Sequence, residues 1–330
     1  MSKRVLVTGA SGFAGANLVR RLLRDGHETH LLLRRPDQTW RLRELGGHVS
    51  QHHAHIENGA AVRAIVQSVR PDWVFHLAAY GAHSSQTGME EMVATNVMGT
   101  VHLLDACAGQ GVEAFVYAGS SSEYGCQDRP ATEGDALDPN SRYAVTKAAA
   151  SHYCVHTARA SGLNAIVLRL YSLYGPYEDP SRLVPSLLTH GLRGSLPPLV
   201  SPETAHDFVY VEDAVDAMLA AASAPDLPRG SVFNVCTGVQ TTLAEIVALV
   251  RRLLNVSSEP KWGTMPSRVW DTSTWCGDPT KSARELNWRA GTSLEEGLNR
   301  TISWLRDHPE VLRMHDAPAF RNVAEWVPHV

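Results

Sequence analysis

Tyr143 and Lys147 stand four residues apart in Tyr143-Ala-Val-Thr-Lys147. On a helix that spacing puts both side chains on one face. A phenol with a pKa of about 10 is a weak acid and base at neutral pH. A cation one turn away favours the phenolate and brings the group toward working pH. A serine cluster, Ser120-Ser121-Ser122, lies upstream. The Ser120 hydroxyl can donate a hydrogen bond to a substrate oxygen and turn it toward Tyr143. The chemistry such a trio offers is proton transfer at an oxygen whose carbon gains or loses hydride. Each part also has a plainer reading. Tyr-x-x-x-Lys occurs on solvated helix faces, and three serines make a capped turn. The surrounding elements decide between these readings.

The first of those elements is at the start of the chain. Val5 to Val7 is short enough for a buried strand, and Leu18, Val19, Leu22 and Leu23 recur at helical spacing. Between them runs Thr8-Gly-Ala-Ser-Gly-Phe-Ala-Gly15. Gly9 lets the chain turn with positive φ, Gly12 lets backbone approach a pyrophosphate, and Gly15 lets the helix pack close to the strand. Phosphates would lie at the helix N-terminus, where unpaired N–H groups and the dipole favour anions. Strand, glycine turn and helix in that order are the context that gives the motif its meaning, dinucleotide binding. A second strand, His30 to Leu33, ends in Arg34-Arg35-Pro36. An acidic residue at this strand end holds a ribose 2′-hydroxyl, whereas Arg accommodates a 2′-phosphate. The two arginines therefore favour NADP(H), with NAD(H) as the alternative; the plain reading is a solvated basic turn. Trp40 and Arg41 are placed near the adenine.

Further strands are expected at Val49–His55, Trp73–Ala79, Ala114–Ala118 and Asn164–Leu170. Helices are expected at Ala60–Val69, Met92–Ala108 and Ser141–Ala160. Strands alternating with helices imply an α/β fold, a doubly wound parallel Rossmann sheet. Ser120 would then sit at the carboxyl end of its strand, the edge where such sheets bind ligands. After about residue 172, Pro176, Pro180, Pro185, Pro197, Pro198 and Pro202 break the pattern. Short strands at His206–Val211 and Val232–Val235 follow, with helices at Glu212–Ala222, Thr242–Leu254 and Ser293–Leu305. The division is a dinucleotide-binding domain over 1–172 and a smaller mixed lobe over 173–330. Segments of about 206–240 are expected to return to the sheet, and 307–330 to wrap the surface.

The bulk properties agree. The chain has 330 residues, 44% hydrophobic and 19% charged, with a net charge of −4, and no polycationic surface for nucleic acid is implied. The five cysteines show no C-x-x-C pair, so neither a disulfide framework nor a metal site is expected, and a cytoplasmic setting fits. No apolar run approaches the ~18 residues of a membrane span, and the first strand begins too early for a signal peptide.

Taken together, the motifs resemble those of the extended short-chain dehydrogenase/reductases, in the NAD(P)-dependent nucleotide-sugar epimerase/dehydratase family. The matches run almost end to end. They are the glycine loop; His76-Leu-Ala-Ala79; Asn96-Val-Met-Gly-Thr100; Gly119-Ser-Ser-Ser-Glu-Tyr-Gly125; Tyr143-x-x-x-Lys147; Arg169-Leu-Tyr-Ser-Leu-Tyr-Gly-Pro176; His206-Asp-Phe-Val-Tyr-Val-Glu-Asp213; and Asp278-Pro-Thr-Lys281 with Leu286-Asn-Trp288. The resemblance implies a catalytic triad of Ser120, Tyr143 and Lys147, with Lys147 also holding the nicotinamide ribose. It implies cofactor contacts from Gly9, Ser11, Gly12, Phe13, Ala14, Gly15, Arg34, Arg35, His55, Ile56, Leu77, Ala78, Ala79, Asn96, Tyr143, Lys147 and Tyr171. Substrate contacts are implied for His83, Ser121, Ser122, Ser172, Arg182, His206 and Arg268, the last three toward the diphosphate. No metal is implied.

The departures narrow the reaction. The family's 4,6-dehydratases carry acidic residues directly after the catalytic Ser or Thr, whereas here Ser121 and Ser122 stand there and Glu123 comes one position late. That disfavours a dehydratase. The family's usual Asn is Ser172, its usual Arg is His206, and an Asp expected near the adenine is His55. Ser172, the Arg34-Arg35 end and the Gly119-Ser-Ser-Ser-Glu-Tyr-Gly125 cluster together resemble NADPH-using 4-ketoreductases of deoxyhexose pathways, such as those of CDP-linked dideoxysugars. The expected activity is therefore NADPH-dependent reduction of a 4-keto-deoxyhexose nucleotide. A 4-epimerase with retained NAD is the alternative, and a non-catalytic nucleotide sensor the reading from another class. The resemblance also implies a homodimer through the Tyr-Lys helix and the Met92–Ala108 helix, with Ala148, Ala149 and Ala150 permitting close approach.

Overall fold

The computed structural model describes residues 2–35, 40–45, 47–82, 86–265 and 272–314. Among these, seven parallel strands form the main sheet: β1 (Arg4–Thr8), β2 (Glu28–Leu33), β3 (Ser50–His53), β4 (Trp73–His76), β5 (Ala114–Ser120), β6 (Ala165–Leu170) and β9 (Val232–Val235). Their order is β3-β2-β1-β4-β5-β6-β9. Strand order reverses between β1 and β4, so a crevice opens beyond their carboxyl ends. A second sheet, ordered β10-β8-β7, holds β7 (Ser172–Tyr174), β8 (Ala205–Tyr210) and β10 (Gln240–Thr242). There β8 runs parallel to β7 and antiparallel to β10.

The helices are α1 (Phe13–Arg24), α2 (Gly59–Val69), α3 (Met89–Val93), α4 (Gly99–Cys107), α5 (Arg142–Ser161), α6 (Leu183–Leu192), α7 (Val211–Ala222), α8 (Leu243–Leu254), α9 (Thr280–Glu285), α10 (Leu294–Asp307) and α11 (Pro309–Met314). Successive strand side chains point to opposite faces. Val5 and Val7 accordingly join one apolar cluster, with Leu18 and Leu22 of α1 and Met218 and Ala221 of α7. Leu6 joins another, with Val66 of α2, Leu103 of α4 and Cys154 of α5. Covering both faces explains why the central strands β1, β4, β5 and β6 are largely apolar runs. A third cluster, including Leu187 of α6, Val247 of α8 and Ile302 of α10, cores the smaller lobe.

Several boundaries differ from the sequence reading. The helix expected from Met92 begins at Met89 and carries a π turn at Ala94–Met98 between α3 and α4. The proline-broken stretch hides α6, whose Pro185 lies in the first turn, where the missing N–H has no helical partner to lose. The returning segment is split: α7 and β9 pack with the large sheet, whereas β8 and β10 belong to the small one.

Candidate active site

The glycine loop is set by contacts that no side chain tolerates. Gly9 has φ +71°, and a Cβ there would strike the backbone of Leu77 and Ala78. A Cβ on Gly15 would run into the carbonyl of Gly9. These two glycines bring α1 and the end of β4 against the turn after β1. Helix α1 starts without a side-chain cap and without an acid in its first turn. Its N–H groups and dipole are therefore available to an anion. Backbone cradle and open helix end together fit a dinucleotide pyrophosphate. Ser11, Phe13, Ala14, Leu77, Ala78 and Ala79 line this region half-buried, and Gly12 is exposed.

The cradle is braced from behind by a buried relay. Ala78 donates its N–H to the Thr8 hydroxyl at 3.2 Å, and that hydroxyl lies 2.7 Å from His76 Nδ1. His76 Nε2 is 2.9 Å from the Thr100 hydroxyl, which donates to the Asn96 carbonyl. With Thr8 accepting from Ala78 and Thr100 donating onward, His76 carries its proton on Nε2. Burial pushes its pKa down to about 3, with the Lys147 charge adding to that, so His76 is neutral.

Arg41 takes a different place from the one expected. Its Nε donates to the Tyr177 carbonyl at 2.6 Å, and its Nη1 lies 3.5 Å from the Ser11 carbonyl. It thus ties the loop after β7 to the glycine loop. Arg34 and Arg35 end β2 fully exposed. His55 is exposed and pairs with Glu57 at 3.1 Å, whereas Ile56 is buried in the core beside Gly99.

Ser120, Tyr143 and Lys147 converge at the carboxyl end of β5. Ser141 caps α5 by accepting from the Ala144 N–H, which fixes where the helix begins and where Tyr143 points. Gly81 leaves space for the Tyr143 ring, since a Cβ there would press on it and on Met92. Burial pushes the Tyr143 phenol up to about 12; the Arg182 charge and a hydrogen bond with Ser120 act in the opposite direction. Lys147 is buried, donates to the Ala118 carbonyl at 2.6 Å and stands over the Tyr117 ring. Burial lowers its pKa to about 8, opposed by the Glu123 charge. The Arg182 charge thus favours the phenolate, and the Lys147 ammonium is directed to the strand end.

The serine turn is the capped turn its sequence allowed. Ser120 caps a single 3-10 turn, Ser121–Tyr124, with Glu123 closing a capping box. Its hydroxyl lies 2.7 Å from that of Ser122. Ser121 is buried within the turn and Ser122 half-buried. Glu123 is 0% exposed, accepts from the Ser120 N–H at 2.8 Å and the Ser151 hydroxyl at 2.9 Å, and pairs with Arg169 at 3.0 Å.

Two residues expected at the cofactor are bonded within the protein. The Asn96 amide is occupied by both backbone groups of Tyr80 and by the Thr146 hydroxyl, so it braces the loop after β4 against α5. Tyr171 is buried, its ring fills the space a Cβ on Gly277 would need, and its hydroxyl faces the Cys276 carbonyl at 3.4 Å. On the sugar side, Ser172 and His206 meet across β7 and β8, hydroxyl to Nδ1, at 3.2 Å. Arg182 is exposed at the start of α6. His83 and Arg268 lie outside the described residues. Sequence reasoning missed Asp207, which accepts hydrogen bonds from Thr237, Gly238 and Gly277 and so ties the small sheet to the segment after β9. Its neighbour His206 drew attention; the signal was a buried acid inside an apolar strand.

A doubly wound sheet with a glycine cradle at its switch point, and Ser, Tyr and Lys at the adjoining strand end, defines a dinucleotide-dependent enzyme of the short-chain dehydrogenase/reductase type. The model of the NAD dependent epimerase/dehydratase family matches residues 5–236, and the chain belongs to that family. The UDP-glucose 4-epimerase of Mycolicibacterium smegmatis is 29% identical over 317 residues, covering 92% of this chain and 99% of the relative. A trifunctional UDP-glucose 4,6-dehydratase/epimerase/reductase of Arabidopsis thaliana is 26% identical over 323 residues; the match covers 93% of this chain and 48% of that longer protein. Among solved structures, MoeE5 in complex with UDP-glucuronic acid and NAD superimposes with a TM-score of 0.81 and 32% identity, covering 92% of this chain and 99% of that one.

Proposed function

We propose that this enzyme is a nucleotide-sugar 4-epimerase that retains NAD through turnover, acting on a UDP-linked hexose. The observation that carries the reaction type is the task of Glu123. Water elimination needs an acid near the sugar C6, and the one acid of the serine turn is locked in a buried ion pair. Ser120 and Tyr143 remain, which suffice for oxidation and reduction at one carbon. The names of the relatives support the substrate class and NAD.

The residues divide the work as follows. Tyr143 accepts the proton of the sugar C4 hydroxyl and returns it after the sugar has turned over. Ser120 hydrogen-bonds the same oxygen and holds it in line. Lys147 has three N–H donors; Ala118 takes one, and the others are left for ribose hydroxyls. Bound NAD supplies the hydride acceptor. Ser172, His206 and Arg182, together with His83 and Arg268, are assigned to the sugar nucleotide, and Gly9, Gly12 and Gly15 to the pyrophosphate.

A second reading, an NADPH-dependent 4-ketoreductase, is favoured by Arg34 and Arg35, both exposed where a 2′-phosphate would reach. Denaturing the purified protein and identifying released dinucleotide by mass spectrometry separates the two. Stoichiometric NAD, with UDP-galactose formed from UDP-glucose, is the expected result. An empty protein that binds NADPH far more tightly than NADH would overturn the epimerase reading in favour of the reductase.

We also assign the active species as a homodimer. Met89, Val93, Met98 and Val145 are 40–51% exposed on α3, the π turn and α5. Apolar side chains exposed together on neighbouring helices suit a helix-to-helix interface. Of the three alanines, Ala148 and Ala150 face this chain's own core and Ala149 faces outward. No described helix is long and apolar enough to cross a membrane.

A further inference from the structure

We propose that Glu123 is a positioning residue for Ser120, held in place by Arg169 and Ser151, and that this buried unit sets the aim of the Ser120 hydroxyl. The proposal rests on the assignment of Ser120 to the reacting oxygen. One carboxylate oxygen, Oε1, accepts from both the Ser120 N–H and the Ser151 hydroxyl; the other, Oε2, accepts from Arg169 Nε. One end of this unit is therefore the backbone of the serine itself, and the other ends are α5 and β6. Glu123 is 0% exposed and Arg169 5% exposed. A carboxylate so deeply buried is tolerable only when paired and hydrogen-bonded.

Room for it has been made. A Cβ on Gly119 would meet Glu123 Oε1 at 2.9 Å, so glycine there lets the carboxylate reach back under the strand end. The unit also extends to the edge strand β9 of the large sheet. The Arg169 guanidinium lies over the Tyr124 ring, Tyr124 donates its hydroxyl proton to Asn234, and Asn234 donates to the carbonyls of Ala131 and Asp278. The Ser120 turn is thereby fixed against α5, β6 and β9. A hydroxyl on a short 3-10 turn has little rigidity of its own; here it is supplied by the buried pair.

The test is a double-mutant cycle between positions 123 and 120, assayed as UDP-galactose formation from UDP-glucose. Glu123→Ala is expected to lower kcat by about 100-fold, with KM and the dinucleotide Kd changed by less than about threefold, in the range of one lost catalytic contact. Glu123→Gln keeps an oxygen for the Ser120 N–H but turns its NH2 group toward Arg169 Nε–H, so it should recover only part of that loss. Adding Ser120→Ala to Glu123→Ala should cost little more, because the hydroxyl is already misplaced. Losses that multiply in full, or a fall in dinucleotide affinity as large as the fall in kcat, would overturn the proposal. If Glu123→Ala fails to fold, Glu123→Gln with Arg169→Gln removes both charges together and enters the same cycle. Ser120→Ala at wild-type activity would sink the assignment of Ser120 itself. If the wild type leaves UDP-glucose unchanged, the epimerase reading fails separately. Amide exchange at residues 114–125 then decides: faster exchange at Ser120 in Glu123→Gln/Arg169→Gln is expected, and unchanged exchange overturns the proposal.

Discussion

The dinucleotide side of the cleft and the side proposed for the sugar are built by different means. On the dinucleotide side the working surface is backbone: Gly9 and Gly15 permit no Cβ, and α1 offers uncapped N–H groups. The side chains behind it, Thr8, His76, Asn96 and Thr100, are buried and bonded to one another or to nearby backbone. On the sugar side the surface is side chain: Ser172 and His206 are half-buried, and Arg182 is exposed. Backbone that recognises a pyrophosphate leaves few permitted sequences, because any added atom collides. Side chains that recognise a sugar leave many, because each can be exchanged without moving the fold. The residues proposed as catalytic lie at the seam between the two, with Lys147 buried and donating to the Ala118 carbonyl and the Tyr143 phenol within the field of Arg182.

The largest test of this contrast falls on the seam. Tyr143→Phe should lower turnover by about 10²–10⁴-fold, the range of a lost general acid–base group, while dinucleotide affinity measured by calorimetry stays near wild type. Loss of both together would mean that Tyr143 belongs to the backbone-built half. Next in size, Gly15→Val should force α1 away from the Gly9 carbonyl. A destabilisation of about 2–4 kcal/mol in denaturant unfolding is expected, the scale of overpacking a close contact, with dinucleotide binding lost in the folded fraction. Unchanged stability would show that the helix is free to shift.

The smallest effect is electrostatic and belongs to the side-chain half. Burial raises the Tyr143 pKa to about 12, and Arg182 pulls it down. Arg182→Gln removes that pull, so the phenol pKa rises further. Because the base form gains population only as pH increases, the ascending limb of kcat/KM should move to higher pH. Activity at neutral pH should fall a few-fold, less so in high salt, since Arg182 is exposed and its field is screened. An ascending limb that stays in place would assign Arg182 to substrate binding alone.

What was legible in the sequence follows the same division. The glycine loop could be recognised because its residues are constrained by their immediate neighbours. Tyr143 and Lys147 could be recognised because one helical turn relates them. Helix α6 was hidden because its proline was counted as a breaker, although a first-turn proline breaks nothing. The packing of Asn96 and Tyr171 is less legible: Thr146 and Gly277, which they touch, lie 50 and more residues away, and no local pattern announces them. Glu123 was visible only as an acid one place late; its ion pair with Arg169 spans 46 positions of sequence.

The path of the chain between the two sheets has one more consequence. After β6 it enters the small sheet at β7, comes back as α7, supplies β9 to the large sheet, leaves again for β10, and touches β9 once more through α9. The two lobes are therefore stitched by the backbone itself and are not beads joined by a single tether. A fragment cut after residue 172 would lack the edge strand β9 and α7, which shares one face of the sheet with α1. Neither lobe is a module that could be lifted out, exchanged or lost on its own, and changes to sugar recognition have to be made by substitution within a frame that stays whole.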